Sequence, residues 1–140
     1  KPNGAMRADS WSRIPLIRMM NISLEPGNWE EDELLADSDG AIVCDVNKSW
    51  SIDDRRLNFQ FGCEAAWQVK NGKRAKLFRN PMYSGMTPQF WGSCDAVCAK
   101  PHWRVWGVPN CGKGVPGQSA RVGHGAAPAR FRGVKMGASR

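Results

Sequence analysis

One run of residues constrains this chain more than any other. Between Arg56 and Lys70, apolar side chains at Leu57, Phe59, Phe61, Cys63, Ala65, Trp67 and Val69 alternate with Asn58, Gln60, Gly62, Glu64, Ala66 and Gln68. A period of two held over that length is incompatible with a helix and predicts a strand with one buried face. Asn71-Gly72 follows, a dipeptide suited to the positive φ angles of a tight hairpin turn. Lys73 to Phe78 then returns antiparallel. The fold is therefore expected to grow around a β-hairpin.

The flanking sequence adds further elements. Met20, Ile22 and Leu24 alternate, and residues 41–46 (AIVCDV) read as a short strand after an Asp39-Gly40 turn. Between them, NWEEDELLAD predicts a short helix capped by Asn28, its acidic first turn matching the positive end of the helix dipole. Thr87-Pro88 opens a second predicted helix over 88–99, with Phe90, Trp91, Cys94, Val97 and Cys98 on one face. HWRVWGV reads as another strand. The stretch after Pro109 is dense in Gly and Pro, and a final strand is expected around Arg130–Val134. The sum is a mostly β (α+β) fold, an antiparallel, curved or barrel-like sheet with two short helices. At 140 residues, with seven Trp and five Phe, the chain can fill the core of one domain without disulfide staples.

Composition removes several classes of function. No run of about 18 apolar residues is present, so no membrane-spanning helix is expected. The first residues, KPNGAMRADSWSRIP, have neither an initiating Met nor a signal-peptide pattern and read like the middle of a longer chain. Five cysteines, an odd number without compact spacing, point to reduced thiols in the cytoplasm. Charge is segregated: residues 1–60 hold seven Lys/Arg against eleven Asp/Glu, and residues 61–140 hold thirteen against two. The basic half interleaves cations with Trp103 and Trp106, yet carries no recognisable RNA- or DNA-binding motif, and its cations cluster around turns. Specific nucleic-acid binding is not expected.

The stretch GVPNCGKGVPGQS (107–119) holds the candidate chemistry. It approaches a phosphate-binding loop, but Gly114 stands where that loop needs a magnesium-ligating Ser or Thr, and Pro109 lacks an N–H donor. Cys94, Cys98, His102 and Cys111 have spacings loose enough for a local zinc site. Burial of Cys94 and Cys98 on a helix face is the better account of that pair. Cys44 and Cys63 share strand faces with apolar residues and read as inert core thiols. Cys111 sits in an expected loop that no hydrophobic period explains, open to three readings: nucleophile, metal ligand or packed thiol.

Several ordered stretches together resemble one family: RMMNISLEPG, DELLAD, DDRRLNFQFGCEAAW, LFRNPMYSGMTPQFWGSCD and VPNCGKGVPGQSARVGHGAAPARFRGVKMG. They are similar to the C-terminal region of the TldD/PmbA metallopeptidases, from about Pro15 onward. On that resemblance, residues 1–14 are a tail continuing from an upstream region and residues 15–137 form the C-terminal β domain. The family's zinc site joins a His-Glu-x-x-x-His helix to a downstream cysteine in a CGK…GQ context. Here that context is Cys111, Gly112, Lys113 and Gly117-Gln118, so the resemblance makes Cys111 the metal ligand and Zn2+ the cofactor. Two histidines one helical turn apart plus a thiolate leave a fourth position for water, whose proton the Glu accepts.

The sequence contains no His-Glu-x-x-x-His: Trp103 follows His102 and Gly125 follows His124. That helix lies upstream in the family, so this piece is expected to hold no catalytic residue and to be inactive alone. The CGK…GQ context favours the TldD-like type. The alternative is a non-catalytic PmbA-like partner or a zinc-stabilised binding module. The resemblance further implies a peptide substrate that is unfolded or flexible, and a homodimer or heterodimer with a family member enclosing a chamber. Strand 57–69 would offer sheet edges to an extended peptide. His124, Gln118 and Arg130 have no role that spacing alone can assign.

Overall fold

The computed structural model describes residues 4–138. Two short antiparallel strands, β1 (Met6–Arg7) and β2 (Leu16–Ile17), lead to helix α1 (Glu31–Ala36). Strands β3 (Ile42–Ile52), β4 (Asn58–Lys70), β5 (Lys73–Arg79) and β6 (Pro81–Met86) follow, then helix α2 (Thr87–Gly92). After β7 (Cys94–Val97) and a 3-10 turn come β8 (Arg104–Lys113) and β9 (Gln118–Ala126). The chain ends with β10 (Ala129–Phe131) and β11 (Lys135–Ala138).

The predicted hairpin is present as β4 and β5, and Asn71 and Gly72 hold φ angles of 51° and 70° at its turn. It lies inside a five-stranded antiparallel sheet in the order β11-β6-β4-β3, with β5 also paired to β4. β3 runs along one side of β4. β6 and then β5 occupy the other, divided by Asn80 in a left-handed conformation. β4 is thus an interior strand, and the edge expected to receive a peptide along 57–69 is already taken. The barrel-like alternative is also corrected. β3 and β11 stand at opposite ends of the sheet, and β1–β2, β7–β10 and β8–β9 pair separately, so nothing closes.

Local expectations fail where tertiary pairing overrides them. α1 begins at Glu31 with Glu30, not Asn28, at its cap, and Glu31, Asp32 and Glu33 fill the first turn. β3 runs past Val46 to Ile52 because its register shifts between Asn47 and Ser49, next to a Val46 φ of 50°. That irregularity breaks the alternation on which a shorter strand was predicted. The second helix stops at Gly92 instead of continuing to 99, and Ser93 turns its N–H and hydroxyl back to the Phe90 carbonyl. Residues 94–97 extend as β7 because β10 offers a partner there. Cys94 and Cys98 therefore do not share a helix face.

The expected last strand splits in two around Gly133, at φ 64°. The Gly- and Pro-rich stretch after Pro109 forms a hairpin, β8 with β9. Its ladder shifts between Val108 and Cys111, which places Pro109, with no N–H to donate, in the irregularity rather than in a paired position.

Two apolar clusters hold these layers. Leu34, Ala96, Cys98 and Ala127 are buried with Trp29, Val97 and Trp103 packed around them. On the large sheet, Phe61 packs on Phe59 and Tyr83, and these two meet Phe90, which stacks on Phe131 at 4.0 Å between ring centroids. Residues 21–25 run beside β9 without forming a strand. Asn21 Oδ1 and Ser23 Oγ accept from the N–H groups of Gly123 and Gly125, and the Leu24 N–H donates to the Gly125 carbonyl, so side chains supply part of what a main-chain ladder would. Trp103 crosses beneath, its Nε1 donating to the Leu24 carbonyl at 2.9 Å.

That layering requires a glycine at 125, because a Cβ there would overlap the Trp103 indole. Gly125→Ala should lose about 1–3 kcal/mol of stability in urea unfolding, as overpacking does. Gly92→Ala, with nothing within 4 Å, should be neutral or slightly stabilising. A second prediction concerns Asp95, which accepts from Arg130 at 2.9 and 3.1 Å and from Arg132 at 2.6 Å. These bonds, Arg130 first, lower its pKa from 3.8 to about 2. Its contribution is thus present above about pH 4 and lost as pH falls towards 2. Asp95→Asn should melt below the parent at pH 6, with the difference shrinking as pH falls from 4 through 2.

Candidate functional site

Cys111 lies on β8 opposite Ala120, half-buried and with no disulfide partner, rather than in a loop. Its neighbourhood is built by the N-terminal segment. Arg7 Nη2 donates to the Cys111 carbonyl at 2.6 Å while its Nε donates to the Met19 carbonyl at 2.8 Å. Arg18 donates twice to the Gly112 carbonyl, at 3.0 and 2.8 Å. Lys113 Nζ reaches back to the Ile17 carbonyl at 3.3 Å.

Beyond the turn, Gln118 is only 5% exposed, and both ends of its amide are used. Oε1 accepts from the Asp9 N–H at 3.0 Å and Nε2 donates to the Ile14 carbonyl at 2.7 Å. Asp9 accepts from the Ser119 N–H, and Arg13 donates to the Gly117 carbonyl. His124 faces Trp106 across the ladder, with Nδ1 at 3.0 Å from the Ile22 carbonyl oxygen. Arg130 is taken up by Asp95, Asp37 and Ser38.

The other thiols lie in different surroundings. Cys98 is fully buried in the small core, and burial, then Glu31 and Glu30, push its pKa up. Cys44 is raised to about 12, by burial first and then by Cys63, whose own pKa is raised chiefly by burial. His102 contacts Glu30 through Nε2 at 2.9 Å. The local set Cys94, Cys98, His102 and Cys111 is not brought together. Among the described residues, no three His, Cys, Asp or Glu side chains gather in a group that could hold a metal. A cavity of about 610 Å³ lies between α1, the start of β3 and β10, and another of about 510 Å³ lies beside α2; neither is lined by Cys111.

Cys111 therefore fits one corner of a metal site: a free, half-buried soft donor whose backbone is held on both carbonyls that follow its Cα. It cannot make a site by itself. Arg7 and Asp9 escaped sequence reasoning because residues 1–14 read as a tail, and Arg18 because nothing in its local sequence marks a carbonyl 94 residues away as its partner. One signal was there: in the acidic half of the chain, four of the seven cations precede residue 19, beside a single acid, Asp9. The surroundings of the thiols predict an order of reaction. With iodoacetamide at pH 8, Cys111 and Cys94 should be alkylated first and Cys63 and Cys98 be protected by burial. Cys44 should be slow although half-buried, with roughly one thiol in 10⁴ ionised at that pH. Peptide mass spectrometry over a time course reads the order.

Comparison with known proteins shows the family of the chain. The sequence model of the PmbA/TldA metallopeptidase C-terminal domain matches residues 1–138, a span that takes in the N-terminal segment around Cys111. A metalloprotease of Methanocaldococcus jannaschii is 30% identical over 122 residues, covering 87% of this chain and 26% of that protein. A metalloprotease of Methanothermobacter thermautotrophicus is 28% identical over 137 residues, covering 98% of this chain and 29% of that protein. The chain thus spans less than a third of the length of these curated relatives. It belongs to the PmbA/TldA metallopeptidase family, whose C-terminal domain it represents.

Proposed function

We propose that this chain is the C-terminal domain of a zinc-dependent peptidase of the TldD-like type, which hydrolyses peptide bonds in unfolded or flexible peptides. Its own contribution is the thiolate of Cys111 as one zinc ligand. The histidines and general base belong to a His-Glu-x-x-x-His helix in a part of the protein outside these residues. The observation that carries the reading is the placement of Cys111. It is the thiol in the CGK…GQ context, and it stands on a paired strand with its carbonyl and that of Gly112 both held by guanidinium groups.

When bound, zinc supplies a Lewis acid that polarises a peptide carbonyl and acidifies water. The chain's own residues supply a soft donor and a rigid mounting for it. Five unpaired thiols suit a reducing compartment such as the cytoplasm. No helix among the described residues is long and apolar enough to cross a membrane. Pairing with a second copy or a related subunit, as a dimer that admits extended peptides, belongs to the same proposal.

The test uses the full-length protein. Cys111→Ala should weaken zinc binding by more than about 100-fold, beyond the 10–100-fold typical of losing a ligand's hydrogen-bond partner, and should abolish peptide cleavage with the circular dichroism spectrum unchanged. Retained cleavage in that variant removes the assignment. A wild-type protein with neither zinc nor cleavage activity favours the non-catalytic partner.

A further inference from the structure

We infer that the N-terminal segment 5–18 is a brace for Cys111, with Arg7 and Arg18 as positioning residues that aim its thiol. This rests on the reading of Cys111 as a metal ligand. The β8–β9 hairpin is a two-stranded sheet on its own, a form that is marginal without outside support. Its ladder also shifts just before Cys111, so the thiol stands on a separate short stretch of pairing, 111–113 against 118–120, next to the turn. Gly112 follows, with no side chain to restrict its backbone. A ligand on so short a ladder, after a bulge and before a glycine, draws limited support from its own hairpin.

The N-terminal segment adds restraint to that short ladder. Arg7 holds the peptide plane after Cys111 and Arg18 holds the plane after Gly112, so the backbone torsions from Cys111 to Lys113 are tied at both carbonyls. Bonds from ionised guanidinium groups are shorter and stronger than neutral ones. Arg7 is itself anchored through Nε to Met19, and the Arg18 N–H donates to the Ala5 carbonyl. The far side of the turn is held by the buried Gln118, which links Asp9 and Ile14. Reversing its amide would set an oxygen against the Ile14 carbonyl and an NH2 against the Asp9 N–H, so its orientation is settled by its partners. Contacts at 111, 112, 113, 117, 118 and 119 thus converge from one short segment. A metal ligand needs positioning to about 0.5 Å, and this brace is the feature of the fold that delivers it.

The experiment measures metal binding in the full-length protein, using zinc affinity and the thiolate-to-metal absorption band of the Co2+-substituted form. Arg7→Ala and Arg18→Ala should each raise the zinc dissociation constant about 10–100-fold and weaken or shift the Co2+ band. Arg7→Lys keeps one charged donor and should recover part of the loss; as the milder change it also serves if the alanine variants fold poorly. A purely structural role predicts a lower melting temperature of the metal-free protein with an unaltered Co2+ band. That result, or zinc affinity within twofold of the parent in both alanine variants, overturns the brace. If Cys111→Ala leaves affinity and band unchanged as well, the ligand assignment itself falls.

Discussion

The backbone of β4 has hydrogen-bonding groups on two sides for most of thirteen residues, and the fold is arranged to satisfy both. β3 takes one side. β6 and β5 share the other, which is possible because the chain turns a corner at Asn80 between them. Once β4 is interior, its first half presents Phe59 and Phe61 to Tyr83 and Phe90, and its second half buries Ala66 and Val69. The position of α2, the approach of β10 through Phe131 and the docking of β11 against β6 all follow from that central strand.

The second half of the molecule is organised differently. β8 and β9 have no third strand, and their support comes from side chains and the extended segments before α1. Asn21, Ser23 and Leu24 bind one side of β9, and Arg7, Arg18 and Gln118 tie its turn to β1 and β2. The candidate ligand is mounted on this hairpin rather than on the large sheet, in a place where side-chain hydrogen bonds decide the geometry. That is physically coherent for a thiol that must be aimed, because charged donors fix carbonyls more firmly than dispersion contacts fix a surface strand.

A few ion pairs join the two oppositely charged halves of the sequence. Arg130 pairs with Asp37, Arg74 with Glu31, and His102 contacts Glu30, each joining the basic half to the acidic one. The more exposed of these pairs add little stability singly. Their effect is to set how α1 meets β5, the 3-10 turn and β10. Arg7 and Arg18 break the pattern: they lie in the acidic half, yet bind carbonyls in the basic half and leave the acids to others.

Sequence by itself determined the β4–β5 hairpin, since a period of two and an Asn-Gly turn are encoded within about two dozen neighbouring residues. It also determined the family and singled out Cys111 by its CGK…GQ setting. Tertiary structure alone decided that α2 would stop at Gly92, that a Gly- and Pro-rich stretch would pair as β8 and β9, and that β4 would have no free edge. It alone brought Arg7 to Cys111, across 104 residues of chain. The physical reason is range: periodicity and turn chemistry act between near neighbours, whereas a strand's partner or a carbonyl's donor is chosen only when distant segments meet.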